Sequence, residues 1–229
     1  MRIMTFNIQH CEYFPEKTIK FEPFGDEILS FGDIIGLNEV RGRGFLKGYT
    51  DQTGRLSRLT SYYSYFGRAI KVGGLAPYGN ALLSRFPILS AETVKIPDPE
   101  KKTGSEMYES RCIIKAVIDA GEKYTVIVTH MGLNKDERIN AVKEIMKLAP
   151  EKRCIIMGDF NCLPEAKELQ PLFSKFNCTD TEDFTFPSDS PDRKIDYIFL
   201  SRDIEIADKG TSHNIVSDHR SQWVRIKEK

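Results

Sequence analysis

An aspartate and an asparagine two residues apart, Asp159 and Asn161, follow directly on the apolar run 154–157 in KRCIIMGDFNCLP. A short apolar run of this kind reads as a buried strand. Where that strand meets solvent, the Gly-Asp-x-Asn sequence presents a carboxylate and an amide close together. Such a pair suits a site that sets a divalent cation and a water molecule against a phosphate ester, because the ester needs both charge neutralisation and a positioned nucleophile.

Other polar residues occupy comparable places. Asn7, Glu39 and His130 close the runs IMTFN, IIGLNE and TVIVTH, Asp196 opens IDYIFL, and Asp218 and His219 precede the last run in VSDHRSQWVRI. Each alone has a bland reading: a turn asparagine, a solvated glutamate, a hydrogen-bonded core histidine, a loop or cap for Asp218-His219. Asp196 fits a bland reading less well, since strands disfavour aspartate. In a mixed sheet the ends of some strands and the starts of their antiparallel neighbours share one edge. The pattern therefore predicts that all these groups meet on one rim.

The elements that must position them are mostly strands. Apolar runs predict strands at 2–8, 33–37, 62–70, 80–84, 88–95, 111–118, 124–129, 154–157, 195–200, 204–207 and 223–226. The clearest helix is 135–148, with Asn134 and Glu137 in a capping-box pattern, one apolar face from Ile139, Val142, Met146 and Ala149, and Pro150 as the stop. Further helices are expected at 24–30, 52–60 and 164–172. Runs such as 113–118 and 126–128 are apolar on both faces, so their sheets are covered on both sides. Two mixed, mainly antiparallel sheets flanked by helices satisfy this: a four-layer α/β/β/α sandwich in one domain over residues 1–229.

Composition narrows the partners. With 33 basic and 33 acidic residues among 229, the net charge is zero, without the global basic excess of a tight nonspecific nucleic-acid binder. Residues 41–71 are the exception, with seven basic residues, one acid and interleaved aromatics; basic and aromatic groups together suit a ligand bearing phosphates and bases. A solvated helix followed by an aromatic strand is the plainer reading of that segment. Five cysteines without CxxC spacing favour a reducing compartment, and the polar start and lack of a long apolar run predict a cytoplasmic protein without a membrane span or an evident obligate protein partner. The four histidines and the cysteines form no zinc-like cluster, so a hard cation is expected: Mg²⁺, with Mn²⁺ as a substitute.

The segments TFN, LNEV, GNALLSRFP, THMGL, GDFN, TFPSDSPDRKIDYIFLS and SDH occur in the order found in the endonuclease/exonuclease/phosphatase (DNase I-like) superfamily, which the chain resembles over almost its whole length. The resemblance implies the same four-layer fold and metal-dependent hydrolysis of phosphate esters. It implies Glu39 as the main metal ligand, with Asn7 and Asp218 in the metal shell. It assigns Asp159 to the attacking water, Asn161 to the phosphoryl oxygen, His219 paired with Asp196 to phosphate contact or general base chemistry, and His130 as a second histidine. Arg41, Asn80 and Arg111 become candidate substrate-binding residues. One departure stands out: the glutamine that usually precedes the metal-binding glutamate is Asn38 here, one methylene shorter. No acid that would orient His130 is identifiable, with Glu106 and Glu109 as candidates.

The first expectation is a Mg²⁺-dependent phosphodiesterase acting on nucleic acid or a nucleotide-like ester. The alternatives are a phosphomonoesterase or lipid or inositol headgroup phosphoesterase of the same fold, and a binding module without catalysis.

Overall fold

The computed structural model describes residues 1–179 and 182–227. Its first half runs β1 (Arg2–Asn7), the short hairpin β2 (Glu12–Tyr13) and β3 (Thr18–Ile19), α1 (Glu22–Phe31), β4 (Ile34–Arg41), α2 (Gln52–Thr60), β5 (Tyr63–Val72), β6 (Ala76–Ser84) and β7 (Ile88–Lys95). The second half runs β8 (Cys112–Asp119), β9 (Lys123–His130), α3 (Lys135–Leu148), β10 (Cys154–Asp159), α4 (Gln170–Lys175), β11 (Asn177–Cys178), β12 (Asp196–Leu200), β13 (Ile206–Thr211) and β14 (Gln222–Ile226).

Two six-stranded sheets form, ordered β13-β14-β1-β4-β6-β5 and β11-β12-β10-β9-β8-β7. They stack face to face. Ile3, Ile34, Leu82 and Val224 of the first meet Ile114, Val126, Val128, Met157 and Ile198 of the second in the middle core. Phe24, Ile28 and Leu56 of α1 and α2 cover the first sheet's outer face, and Ala141, Val142, Ile145 and Leu172 of α3 and α4 cover that of the second. The predicted four-layer sandwich is what the chain adopts.

Strand alternation decides which side chains face the middle. Ile155 and Met157 of β10 enter the inter-sheet core, while Cys154 and Ile156 face the helices. The next inward position on that strand is Asp159. The same count brings Asn7 on β1, Asn38 on β4, Asn80 on β6, His130 on β9 and Asp196 on β12 to the inter-sheet side. Gly158 has φ +150°, and a Cβ there would collide with the Thr129 carbonyl of the neighbouring strand, so only glycine fits before the aspartate.

The helix over 135–148 matches, and the Glu137 carboxylate accepts the Asn134 N–H (3.1 Å) as the cap pattern requires. The helix expected at 164–172 is displaced: a 3₁₀ turn at Lys167–Leu169 leads into α4, whose first turn contains Pro171, a residue whose fixed φ favours a helix start. The strand expected at 204–207 begins later, because Ile204 N–H closes a turn onto Ser201 O.

Candidate active site

Asp159 is the centre of the cluster. It is 1% exposed, and its Oδ2 accepts the Asn7 amide (3.1 Å) and faces His130 Nε2 at 3.6 Å and His219 Nε2 at 3.8 Å. His219 Nδ1 meets Asp196 Oδ2 at 2.9 Å. The Phe186 ring lies 4.7 Å from the imidazole, centroid to centroid, and shields that pair. Asn7 also donates to Glu39 Oε1 (3.2 Å). The structure thus joins Asn7, Glu39, His130, Asp159, Asp196 and His219, from both sheets, at one mouth.

Their electrostatics divide the roles. Burial alone would strip the proton from His219, yet the carboxylates of Asp196, Asp159 and Asp218 reverse this and raise its pKa to about 10. Asp159 moves the other way from an ordinary acid: burial, then the charge of Asp196, lift it to about 7 despite the opposing pull of His219. His130 is held well below 6.5 by burial and by the Arg111 guanidinium. Arg111 donates to His130 Nδ1 (3.1 Å), which places the neutral ring's proton on Nε2, toward Asp159. Arg111 in turn pairs with Glu109 (2.9 Å), so an arginine backed by Glu109 orients His130 at Nδ1, while Asp159 faces its Nε2.

Glu39 reaches the mouth through a break in strand register. Between Leu37 and Val40 the pairing of β4 with β6 shifts, and Glu39 adopts φ +59°. Regular alternation would turn Glu39 toward the helix-covered face. The inserted residue re-aims it, the usual use of a bulge beside a site. The Tyr78 hydroxyl lies close enough to the Glu39 carboxylate for burial and that charge to raise its pKa, and His10 faces Glu39 with Nε2 at 3.7 Å. Neither His10 nor Tyr78 stood out in the sequence, because the first lies in a turn and the second in an ordinary strand.

The donor set suits a hard cation. Asp218 is raised by burial and by the charge of Glu39, partly offset by His219, so these two carboxyls stand close enough to repel. Glu39 and Asp218 are oxygen donors of the kind Mg²⁺ takes. Asn7 turns its NH₂ to Glu39 and Asp159, while its Oδ1 accepts Gln9 N–H (3.1 Å), so in this arrangement it bridges two carboxylates. Asp159, Asp196 and His219 also bring three ligand-type atoms within 4.8 Å of one another, and a hydrogen bond joins His219 Nδ1 to Asp196 Oδ2 there.

Three expected site residues have their side chains engaged with other protein groups. Asn80 is buried beneath the mouth: Oδ1 accepts Asn38 (3.0 Å) and Nδ2 donates to Cys112 O (3.0 Å), which leaves its amide engaged inside the core. The Asn161 amide donates to Met131 O (2.9 Å), while its backbone N–H caps Asp159 Oδ1 (2.9 Å). The Arg41 guanidinium lies over the Tyr49 ring at 5.4 Å. Nor does the basic segment 41–71 gather into one stripe: Arg55 stacks on Phe21 at 4.9 Å, on the helical side of the first sheet.

The Endonuclease/Exonuclease/phosphatase family model matches residues 4–219. The chain belongs to this family. Among solved structures, it is similar to an endonuclease/exonuclease/phosphatase from Beutenbergia cavernae (TM-score 0.79, 19% identity, 99% of this chain and 71% of that one). It is equally similar to a family protein from Leptotrichia buccalis (0.78, 20%, the full length of both). A third is the mannosyl-6-phosphatase Bt3783 of Bacteroides thetaiotaomicron (0.71, 16%, the full length of both). At such identities these likenesses establish the fold. Among the described residues no helix is long and apolar enough to cross a membrane.

Proposed function

We propose that this family member is a divalent-metal-assisted phosphodiesterase that hydrolyses its ester by in-line attack of water. The observation that carries the reading is Asp159: a buried carboxylate, lifted to about 7, within 4 Å of two histidines and one hydrogen bond from the amide that also holds Glu39. A base with that affinity is matched to neutral pH.

Glu39 and Asp218, with Asn7 beside them, would hold Mg²⁺ or its substitute Mn²⁺, whose charge neutralises the phosphoryl and leaving oxygens when bound. Asp159 orients the attacking water and takes its proton. His219, kept cationic by Asp196, donates to a phosphoryl oxygen. His130 presents Nε2–H from the other side, fixed by Arg111, whose positive charge would also favour a bound phosphate. Asn161 holds the Asp159 carboxylate in place through its backbone N–H. Asn80 acts at one remove, by bracing Asn38. The five free cysteines accord with a reducing, cytoplasmic setting.

Two fixed cationic donors, Arg111 and His219, against four carboxylates match the single negative charge of a diester better than the double charge of a monoester. Hydrolysis of bis-p-nitrophenyl phosphate and p-nitrophenyl phosphate, each with Mg²⁺ and with EDTA, tests this. The diester is cleaved only with metal; preferential cleavage of the monoester would instead favour the phosphatase reading, for which Bt3783 is a structural precedent.

A further inference from the structure

Beyond Glu39, β4 pairs Arg41 with Tyr78 and gives way to the loop 42–50. Beside it, β5 and β6 meet in a turn where Gly73 and Gly74 have φ +57° and +75°. The two tips touch: Gly44 lies against Leu75 and Ala76, and the Leu46 side chain lies over Gly73. Four apolar side chains project from this joint tip. Phe45 is 92% exposed, Leu75 57%, and Leu46 and Val72 39% each. Arg43, Lys47, Arg68 and Lys71 are exposed around them. Among the described residues none of these four pairs with a carboxylate; the only acid between 41 and 76 is Asp51, which accepts Gly54 N–H at the start of α2.

Folding does not explain such a cluster, since it leaves apolar groups in water at two adjacent loop tips. We infer that this tip docks on an anionic lipid surface, with Phe45 and Leu75 entering the headgroup and acyl boundary while Arg43, Lys47, Arg68 and Lys71 meet the negative headgroups. Apolar side chains that enter with a cationic collar are the pattern of interfacial binding. A single-stranded nucleic acid would pair the same cations with stacked bases, but stacking needs aromatic faces. Three of the four projecting groups are aliphatic, and Phe45 is the one exposed ring of the tip. Glu39 lies four residues from Arg43, roughly 13 Å along an extended chain, so docking brings the mouth to the headgroup layer. The inference stands independently of the catalytic reading, because binding needs no turnover.

Cosedimentation of the full chain with vesicles tests it, using phosphatidylcholine alone and phosphatidylcholine mixed with phosphatidylglycerol. Binding is expected to the anionic vesicles only and to weaken as salt shortens the screening length. Leu75→Ser with Phe45→Ser lowers the affinity at least tenfold, and Lys47→Glu with Lys71→Glu lowers it about 25-fold or more, at about fivefold per lost cation. These side chains are exposed, so an unchanged thermal melt and unchanged hydrolysis of soluble bis-p-nitrophenyl phosphate show that the fold and mouth are intact. Failure of the wild-type chain to pellet with anionic vesicles would overturn the inference. So would full binding by the Leu75→Ser, Phe45→Ser variant, or single-stranded DNA bound through this tip by a chain that ignores vesicles.

Discussion

Asn38 should stabilise the fold far more than its size implies, and truncating it to alanine is the sharpest test of how the two sheets are joined beneath the mouth. Its side chain is fully buried and makes three hydrogen bonds: Nδ2 to Asn80 Oδ1 (3.0 Å) and Thr129 O (2.8 Å), and Oδ1 from Asp159 N–H (2.9 Å). Asn38→Ala leaves two backbone groups, Thr129 C=O and Asp159 N–H, buried without these partners. Each such group costs about 1–3 kcal/mol, so the expected loss is about 2–6 kcal/mol out of the roughly 5–15 kcal/mol typical of a domain. Urea denaturation followed by far-ultraviolet circular dichroism should show the midpoint falling with the slope unchanged, and turnover should fall as well, because Asp159 loses its anchor. Asn80→Ala should cost less, since Asn38 keeps Thr129 O and Asp159. The double variant should show coupling of about 0.5 kcal/mol or more, as residues that share a hydrogen bond do. A loss below about 1 kcal/mol with full activity would mean that these bonds do not hold the sheets in register.

Replacing His219 or Asp159 by alanine should each lower kcat by about 10²–10⁴; turnover within threefold of wild type for either variant would break the role assignment. Mg²⁺ at a hundred times its Kd should stabilise the wild-type chain by about 2.7 kcal/mol in a thermal melt. Glu39→Gln should remove that gain, and retention of the full shift would place the cation elsewhere. The buried, neutral His130 gives a pH signature. Above pH 6.5 both folded and unfolded rings are neutral, and its contribution to stability is complete. As pH falls through 6.5 the unfolded ring takes up a proton that the folded one refuses, because burial and Arg111 depress its pKa. Stability should then fall by about 1.4 kcal/mol per pH unit from this residue. His130→Gln should make the acid limb of the stability curve shallower by about one proton, and an unchanged limb would mean that the ring is protonated in the folded state.

The rim was legible wherever a polar residue closed or opened an apolar run, because strand alternation and strand ends are both written in residue order. Asp159, His130 and Asp196 were found this way, and Asn7 likewise. The partner of His130 was not, since Arg111 reaches it across adjacent antiparallel strands, and no spacing within one segment records that pairing. Asn80 was a candidate substrate-binding residue through the family resemblance alone; only the fold shows that its amide is spent between the sheets. Of the basic segment 41–71, α2 sets Arg55 over the Phe21 ring, on the helical side of the first sheet, a direction that a count of charges does not carry. Asn38, one methylene shorter than the glutamine usual before the metal-binding glutamate, spans the inter-sheet space to Asp159 N–H.

Why the reactive groups share one end follows from the two places where strands run parallel. β1 pairs parallel with β4, and β9 with β10, while the other pairings among the described strands are antiparallel. Each parallel pair brings two carboxyl ends to the same edge, in register at Asn7 and Asn38 and at His130 and Asp159. The sheets stack with those edges together, as the Asn7–Asp159 and Asn38–Asp159 hydrogen bonds record. An antiparallel neighbour adds its start, which is how Asp196 comes opposite Asp159. Burial first, and then the repulsion of carboxylates crowded in this way, raises the affinities of Asp159 and Asp218 for protons. His219 relieves it on one side by staying charged. On the other side Glu39 faces only the His10 ring at 3.7 Å, and His219 offsets Asp218 only in part, so two oxygen donors of the kind a divalent cation takes stand together there.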